Sequence, residues 1–285
     1  MLRVRVASGI ISLDNQMMKV SPWYRRIERA EHLAKQHWAV AEILGFYAHV
    51  ARFQKDFYGR LEAAAVRVST GASGEKSFGL PESREILASF GPFLSVVEKL
   101  GPARLAALAR DLHQSSPELW SGLLDASWST TESSSELPEE FLARAFLQPY
   151  AEFVRSRVAT NADGHLHSRC PFCHRKPGLG VLRQQGEGAR RSLMCSFCLA
   201  EWEFRRIICP GCGEENNAKL PVYQASDFDY IRVEACDTCH AYLKAVDLTK
   251  NGLAEPMVDE MAAAPLDLWA QEHGYSKLQR NLMGM

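Results

Sequence analysis

The chain has 285 residues, of which 46% are hydrophobic and 24% are charged. Its 33 basic and 34 acidic residues give a net charge of -1, so no global field indicates a nucleic acid or an anionic membrane as partner. No stretch reaches the roughly 20 apolar residues of a membrane-spanning helix, and the apolar run near the N-terminus is too short and broken for a signal peptide. We therefore expect a cytoplasmic protein of about two or three domains.

The first half of the chain has the pattern of an all-helical domain. Residues 1–20 are predicted to be a loose leader, and residues 21–162 to be helical. Ser21 is a good N-cap and Pro22 suits the first turn, so a long helix should begin there, with a break at Gly45. Further helices are expected to begin at Pro81, Pro102, Ser116–Pro117 and Pro138.

After about residue 162 the helical periodicity gives way to short β-type runs between cysteines. We predict a first ribbon module at 163–206 and a second at 207–250, each containing one hairpin. Gly186–Gly188 should form the first hairpin turn and Ser226–Asp229 the second. Residues 251–285 are predicted to form a C-terminal tail with one helix, at about Val258–His273, and a polar end.

Every cysteine belongs to a Cys-x-x-Cys pair, and the pairs are separated by 21, 10 and 23 residues. A two-residue spacer lets two thiolates on one tight turn face the same point, and two such turns at the ends of a hairpin complete a tetrahedral site. The spacing therefore predicts two metal sites in tandem. The first is Cys170, Cys173, Cys195 and Cys198, and the second is Cys209, Cys212, Cys236 and Cys239.

Four thiolates suit Zn²⁺ or a single iron ion equally well, so the sequence leaves the metal open between iron and zinc. If the two middle pairs shared one site, the two outer pairs would be left far apart. A disulfide framework would explain the even number of cysteines, but it rarely places every cysteine in a Cys-x-x-Cys turn. Cys173-His174 and Cys239-His240 match the haem-attachment motif, but haem would leave the middle pairs unexplained. A thioredoxin-like role needs a helix after the first cysteine, which the ribbon pattern lacks.

No enzyme constellation is present: the sequence has no phosphate-binding loop, nucleophile elbow or His-Glu-x-x-His motif, and we expect no catalytic residues. The pairs Arg190–Arg191 and Arg205–Arg206 raise the alternative of a nucleic-acid-binding zinc ribbon. A rubredoxin-type electron-transfer protein is the second alternative. The nearby aromatic residues, Phe197, Trp202 and Phe204, are expected to pack inside the protein. Gly178 and Gly180 are assigned to a strand edge.

The cysteine region resembles the FdhE family of formate dehydrogenase accessory proteins. The matching stretches are CPFCHRKP at 170–177, CSFCLAEW at 195–202 and CDTCHAYLK at 236–244, with a looser likeness over most of the chain. The resemblance implies an α+β multidomain fold, with an all-α N-terminal domain followed by two rubredoxin-like, zinc-ribbon-type β modules. It also implies a non-catalytic assembly factor that binds iron and acts on the formate dehydrogenase catalytic subunit before export.

Overall fold

The computed structural model describes residues 21–64, 84–131, 137–158 and 167–285. The predicted leader, the helix start at Pro81 and the boundary near residue 162 lie outside these ranges. Six α-helices of the described residues precede the first cysteine: α1 Pro22–Gln36, α2 Ala41–Ala63, α3 Arg84–Leu100, α4 Ala103–His113, α5 Pro117–Ser129 and α6 Pro138–Arg157. They enclose an aromatic core in which Phe57 stacks on Phe146, with ring centroids 5.0 Å apart.

The predicted helix starts are confirmed at four places. Pro22 and Pro138 occupy first turns, and Pro102 is the N-cap of α4. The Ser116 side chain accepts a hydrogen bond from the backbone N–H of Leu119, as an N-cap residue should. Ser21 precedes α1, but its side chain makes no capping hydrogen bond.

The break expected at Gly45 is wrong, since Gly45 lies inside α2. The helix is interrupted earlier, at His37, where a short 3-10 turn at Trp38–Val40 follows. A glycine weakens a helix by only about 1 kcal/mol, and burial of neighbouring side chains such as Phe46 outweighs that cost. The His37 ring instead stacks 5.1 Å from that of Phe228 in the C-terminal half, which is a tertiary contact invisible in local sequence.

All seven strands of the described residues belong to a single sheet. They are β1 Pro177–Gln185, β2 Gly188–Cys195, β3 Glu201–Glu203, β4 Val222–Gln224, β5 Ile231–Ala235, β6 Ala241–Asp247 and β7 Ser276–Lys277. The order is β3-β2-β1-β6-β5-β4, with β7 paired to β6. The predicted fold class is confirmed: a helical N-terminal part precedes two β-rich units, each carrying four clustered cysteines.

The two hairpins form where the sequence predicts them. Gln185 pairs with Gly188 around a turn in which Gly186 adopts a φ of +56°. In the second unit a 3-10 turn at Ser226–Phe228 separates β4 from β5. The parallel pairing of β1 with β6 was not predicted, and it joins the two units edge to edge.

The assignment of Gly178 and Gly180 to a strand edge is wrong, because β1 lies between β2 and β6. A Cβ atom on Gly180 would stand 3.0 Å from the Cβ of Ala245 and 3.3 Å from a methyl group of Leu243. A Cβ on Gly178 would meet Ser196 at 3.0 Å. The two glycines therefore allow the close approach of β1 to β6 and to a cysteine turn.

Gly180→Ala should therefore lower the free energy of unfolding by about 1–3 kcal/mol, because β1 and β6 must separate to admit the methyl group. Gly45→Ala is the matched control, since nothing lies within 4 Å of its added Cβ. That control should gain up to about 1 kcal/mol from helix propensity. Urea unfolding of both variants checks this, and a Gly180→Ala protein as stable as the parent would contradict it.

The C-terminal segment is more structured than the sequence suggests. Two helices, α7 Pro256–Ala262 and α8 Ala264–Glu272, replace the single one predicted. Pro265 lies in the first turn of α8, where its missing N–H costs nothing, whereas within one continuous helix it would break the hydrogen-bond ladder. The last residues were predicted to form a polar end, but both Asn281 and Leu282 are buried.

Helix α7 connects the two halves of the molecule. Every residue of α7 is buried, and it packs against α1, α2, β1 and β6. The Arg29 guanidinium of α1 donates to the Asp259 carboxylate of α7, which also accepts a 2.8 Å hydrogen bond from the Tyr230 hydroxyl. Within the described residues, no helix is long and apolar enough to cross a membrane.

Candidate metal centres

The structure brings together the first four cysteines of the sequence. Their sulfur atoms lie 3.3 Å apart for Cys173 and Cys195, 3.5 Å for Cys170 and Cys198, and 3.7 Å for Cys173 and Cys198. Three of the four side chains are buried, and Cys173 is partly buried. We call this group site 1.

The remaining four cysteines form a second group, site 2. The sulfur atoms of Cys209 and Cys239 are 3.7 Å apart, as are those of Cys212 and Cys236. All eight cysteines are free thiols, and each group has its four sulfurs within 4.8 Å of one another. This arrangement matches the grouping derived from the spacing, in which the first two pairs form one site and the last two pairs form the other, and it contains no disulfide.

One turn geometry is repeated at all four cysteine pairs. The N–H of the first cysteine donates to the carbonyl five residues on: Cys170 to Arg175, Cys195 to Ala200, Cys209 to Glu214 and Cys236 to Ala241. The residue directly after each pair has a positive φ: His174 +57°, Leu199 +53°, Gly213 +81° and His240 +55°. This left-handed residue turns the chain back, so that both sulfurs of a pair face the same point. The two histidines after cysteine pairs therefore occupy turn positions.

Both groups fit a tetrahedral metal ion. Bonds of about 2.3 Å from one metal to four sulfurs place the sulfurs about 3.8 Å apart, close to the observed separations. Backbone N–H groups of Phe172, Phe197 and Gly211 point at cysteine sulfurs, at 3.3–3.4 Å, and can offset thiolate charge. Such a donor set accepts zinc or iron.

Comparison with known protein families matches both cysteine-bearing units. The model of the FdhE central domain matches residues 169–206, and that of the FdhE C-terminal domain matches residues 207–283. Residues 169–283 of this chain are therefore similar to two consecutive domains of the FdhE family.

Individual FdhE relatives resemble the chain over most of its length. "Protein FdhE homolog" of Aquifex aeolicus is 28% identical over 253 residues, which cover 85% of this chain and 88% of the relative. The homolog of Rhizobium meliloti is 25% identical over 274 residues, covering 88% and 86%. The crystal structure of the FdhE protein from Pseudomonas aeruginosa superposes with a TM-score of 0.64 at 22% identity, covering 93% of this chain and 97% of that one. That likeness shows a shared fold.

Site 1 is built into the core of the helical half. Phe197, between Cys195 and Cys198, makes an edge contact with Trp128 at the end of α5, with ring centroids 5.8 Å apart. Arg175 lies 3.7 Å over the Phe197 ring and donates 2.9 Å to the Thr130 carbonyl. Site 1 is thereby fastened to the helices on one side and to β1 and β2 on the other.

The pKa values of two buried cysteines in site 1 are shifted in opposite directions. Burial raises the pKa of Cys170 well above its usual value. Burial opposes ionisation of Cys195 as well, but hydrogen bonds from Cys170, Cys173 and Cys198 outweigh it and lower the Cys195 pKa. A metal ion that binds these cysteines displaces the protons that the thiols hold.

Site 2 differs from site 1 in its contact with solvent. Cys212 and Cys239 are exposed, whereas Cys209 and Cys236 are buried. An exposed thiolate is open to alkylation, oxidation and metal exchange, while a buried one reacts only after local opening. The two sites are therefore chemically unequal although their donor sets are identical.

We expect iodoacetamide to modify Cys212 and Cys239 at least about tenfold faster than Cys170 and Cys195, because opening of the buried site costs more than about 1.4 kcal/mol. Peptide mass spectrometry after timed quenching measures each rate in the metal-loaded protein. A urea-unfolded sample is the control, in which all eight rates should converge. Equal rates in the folded protein would contradict the inequality of the sites.

The arginines that suggested a nucleic-acid ribbon are mostly committed to carboxylates. Arg191 pairs with Glu234 at 2.6 Å and Arg205 with Glu215 at 2.8 Å, while Arg190 lies 3.9 Å from Glu203. Arg206 makes no ion pair among the described residues and faces a cavity next to site 2. The aromatic residues, Phe197, Trp202 and Phe204, are buried, as expected.

Proposed function

We propose that the chain is a non-catalytic, metal-binding accessory protein needed for maturation of a formate dehydrogenase catalytic subunit. The observation that carries the proposal is that two four-cysteine sites occur in residues 169–283, which are similar to two domains of the FdhE family. The resemblance of the cysteine region to the FdhE family implies the role of an accessory protein of formate dehydrogenases. The client is the catalytic subunit before its export, and the place of action is the cytoplasm.

The eight cysteines hold two metal ions, one in each site. In the proposed assignment, Cys170, Cys173, Cys195 and Cys198 bind one ion, and Cys209, Cys212, Cys236 and Cys239 bind the other. The ions are iron, or zinc in the same geometry, since both accept four thiolates. Binding requires the thiols to lose their protons, so metal affinity rises with pH.

The two sites differ in burial, and we assign them different roles on that basis. Site 1, shielded from solvent, fastens the ribbon to the helical half. Site 2, with two exposed cysteines, is the one whose metal and thiolates meet other molecules. The pairing of Arg190, Arg191 and Arg205 with carboxylates supports a protein client over a nucleic acid, because these three cations are already neutralised and contribute less to phosphate binding.

Co-purification from the native host tests the proposal. A tagged full-length chain, expressed at its natural level, should capture the formate dehydrogenase catalytic subunit with its export signal still attached, as read by mass spectrometry. A host lacking the gene should lose formate dehydrogenase activity and regain it on complementation. Elemental analysis of the same eluate gives the metal.

Two results would contradict the proposal. The first is full formate dehydrogenase activity in the deletion host. The second is an eluate that holds nucleic acid in place of the subunit, with retention that falls steeply as salt rises. Reversible reduction and turnover with a reductase would instead favour the rubredoxin-type electron-transfer alternative.

A further inference from the structure

A cavity of about 360 Å³ lies beside site 2, at the junction of the two ribbon units. Its walls come from the connecting segment Arg206–Ile208, the first cysteine turn of site 2 and the facing ends of β5 and β6. This volume falls within the roughly 300–1,000 Å³ range of ligand-binding pockets in proteins. Cys209, Gly211 and Cys236 line it, so the turns of site 2 hold the wall in place.

The cavity is lined by three arginines and one acidic residue. Arg191 and Arg232 share the Glu234 carboxylate, with N···O distances of 2.6 Å each. Burial disfavours the Glu234 carboxylate, but the two guanidinium groups outweigh it and lower the Glu234 pKa. This triad keeps one net positive charge, and the exposed Arg206 adds a second.

The remaining lining is mainly aliphatic. Ile207 and Val222 are 51% and 55% exposed, and Leu220 and Leu278 lie close by. Val222 belongs to β4, the last strand on its side of the sheet order. An edge strand can pair with an extended chain, and exposed aliphatic residues next to it can take alternate side chains of that chain. A purely polar anion would leave this aliphatic surface in water.

We propose that this cavity binds an extended peptide segment in which a carboxylate side chain is flanked by aliphatic residues. The carboxylate pairs with Arg206, and the aliphatic side chains cover Ile207 and Val222. In the proposed function, this peptide segment belongs to the client subunit. Only that identification of the segment rests on the proposed function. The recognition chemistry itself stands on the charges and the lining of the cavity.

Fluorescence polarisation with two heptapeptide mixtures tests the proposal on the metal-loaded full-length chain. The mixtures have Asp or Asn at the centre and Leu, Ile and Val at the two positions on each side. The Asp mixture should bind at least about tenfold more tightly, since the Asn mixture cannot form the charged pair. Arg206→Gln should weaken binding of the Asp mixture by about tenfold and leave the Asn mixture unchanged.

Arg205→Gln is the matched control, because this neighbour is also exposed but pairs with Glu215 outside the cavity. It should bind the Asp mixture as the parent does. Ile207→Asn should weaken both mixtures, whereas Leu253→Asn, at another exposed apolar position, should weaken neither. Equal binding of the two mixtures, no binding of either, or equal effects of the two arginine variants would overturn the proposal.

Capture of the formate dehydrogenase catalytic subunit separates this proposal from the function on which it rests. If Arg206→Gln captures the subunit as well as the parent does, the assignment of the bound segment to the client subunit fails and the accessory function stands. If the parent binds the Asp mixture in the predicted manner but captures no subunit, the cavity proposal stands and the accessory function fails.

Discussion

Replacing Cys195 with serine is expected to remove the metal of site 1 and to loosen the helical half along with the ribbon. A structural four-cysteine site contributes on the order of 10 kcal/mol of metal-binding free energy to the folded state. Cys195 is fully buried, and it belongs to the same hydrophobic core as Phe146 and Leu142 of α6. The loss should therefore lower the midpoint of thermal unfolding by more than about 10 °C.

Elemental analysis and circular dichroism at 222 nm measure the two effects together. Ser196→Ala is the matched control, since it changes the same turn without removing a ligand, and it should keep both metals. Cys239→Ser should lose only the metal of site 2 and leave most of the helical signal, because Cys239 is exposed. A Cys195→Ser protein with two metals and an unchanged midpoint would contradict the role of site 1.

Replacing Lys244 with methionine is expected to cost about 3–5 kcal/mol of unfolding free energy, because it breaks a buried ionic network. The Lys244 ammonium is fully buried on β6 and donates 2.6 Å to Asp267 and 2.5 Å to the Glu260 carbonyl. The ammonium also lies 3.0 Å from the Glu260 side-chain carboxylate, which accepts hydrogen bonds from Lys277 and Asn281 as well. These contacts fasten α7, α8 and the C-terminal residues to the sheet.

Urea unfolding at pH 7 measures the cost. Lys250→Met is the matched control, since this lysine is exposed and its replacement should change the free energy of unfolding by less than about 0.5 kcal/mol. Equal stabilities of the two variants would contradict the importance of the buried network.

The same network predicts a loss of stability in acid. Burial disfavours the Glu260 carboxylate, yet the charges of Lys244 and Lys277 outweigh it and lower the Glu260 pKa from 4.5 to about 2. A depressed carboxyl pKa stabilises the fold above the unfolded-state pKa, and this contribution disappears as pH falls from about 4.5 towards about 2. The acid-induced decrease should be smaller in Lys244→Met, which a pH series of urea midpoints would detect.

The cysteine pattern was sufficient to predict which sulfurs gather, because the two-residue spacer and the hairpin between pairs are local features. Helix starts at Pro102, Ser116 and Pro138 followed from local capping chemistry as well. The break at His37 could not be predicted from local sequence, and there the His37 ring contacts Phe228, which lies far along the chain.

The merging of both hairpins into one sheet also escaped prediction. The parallel pairing of β1 with β6 joins residues more than 60 positions apart, and no turn signal marks it. A sequence signal for this close packing was the presence of Gly178 and Gly180, which have no side chain and therefore leave room for Ser196 and Ala245. Likewise, the acidic residues of α7 look like surface residues until Asp259 and Glu260 meet their buried partners.

The central claim is that eight cysteines form two closed metal sites, and metal K-edge X-ray absorption on the purified full-length chain tests it most directly. Elemental analysis should find two metal ions per chain, and the absorption data should fit four sulfur neighbours at about 2.3 Å with no nitrogen or oxygen ligand. One metal per chain, a mixed nitrogen and oxygen shell, or cysteines recovered as disulfides would contradict it.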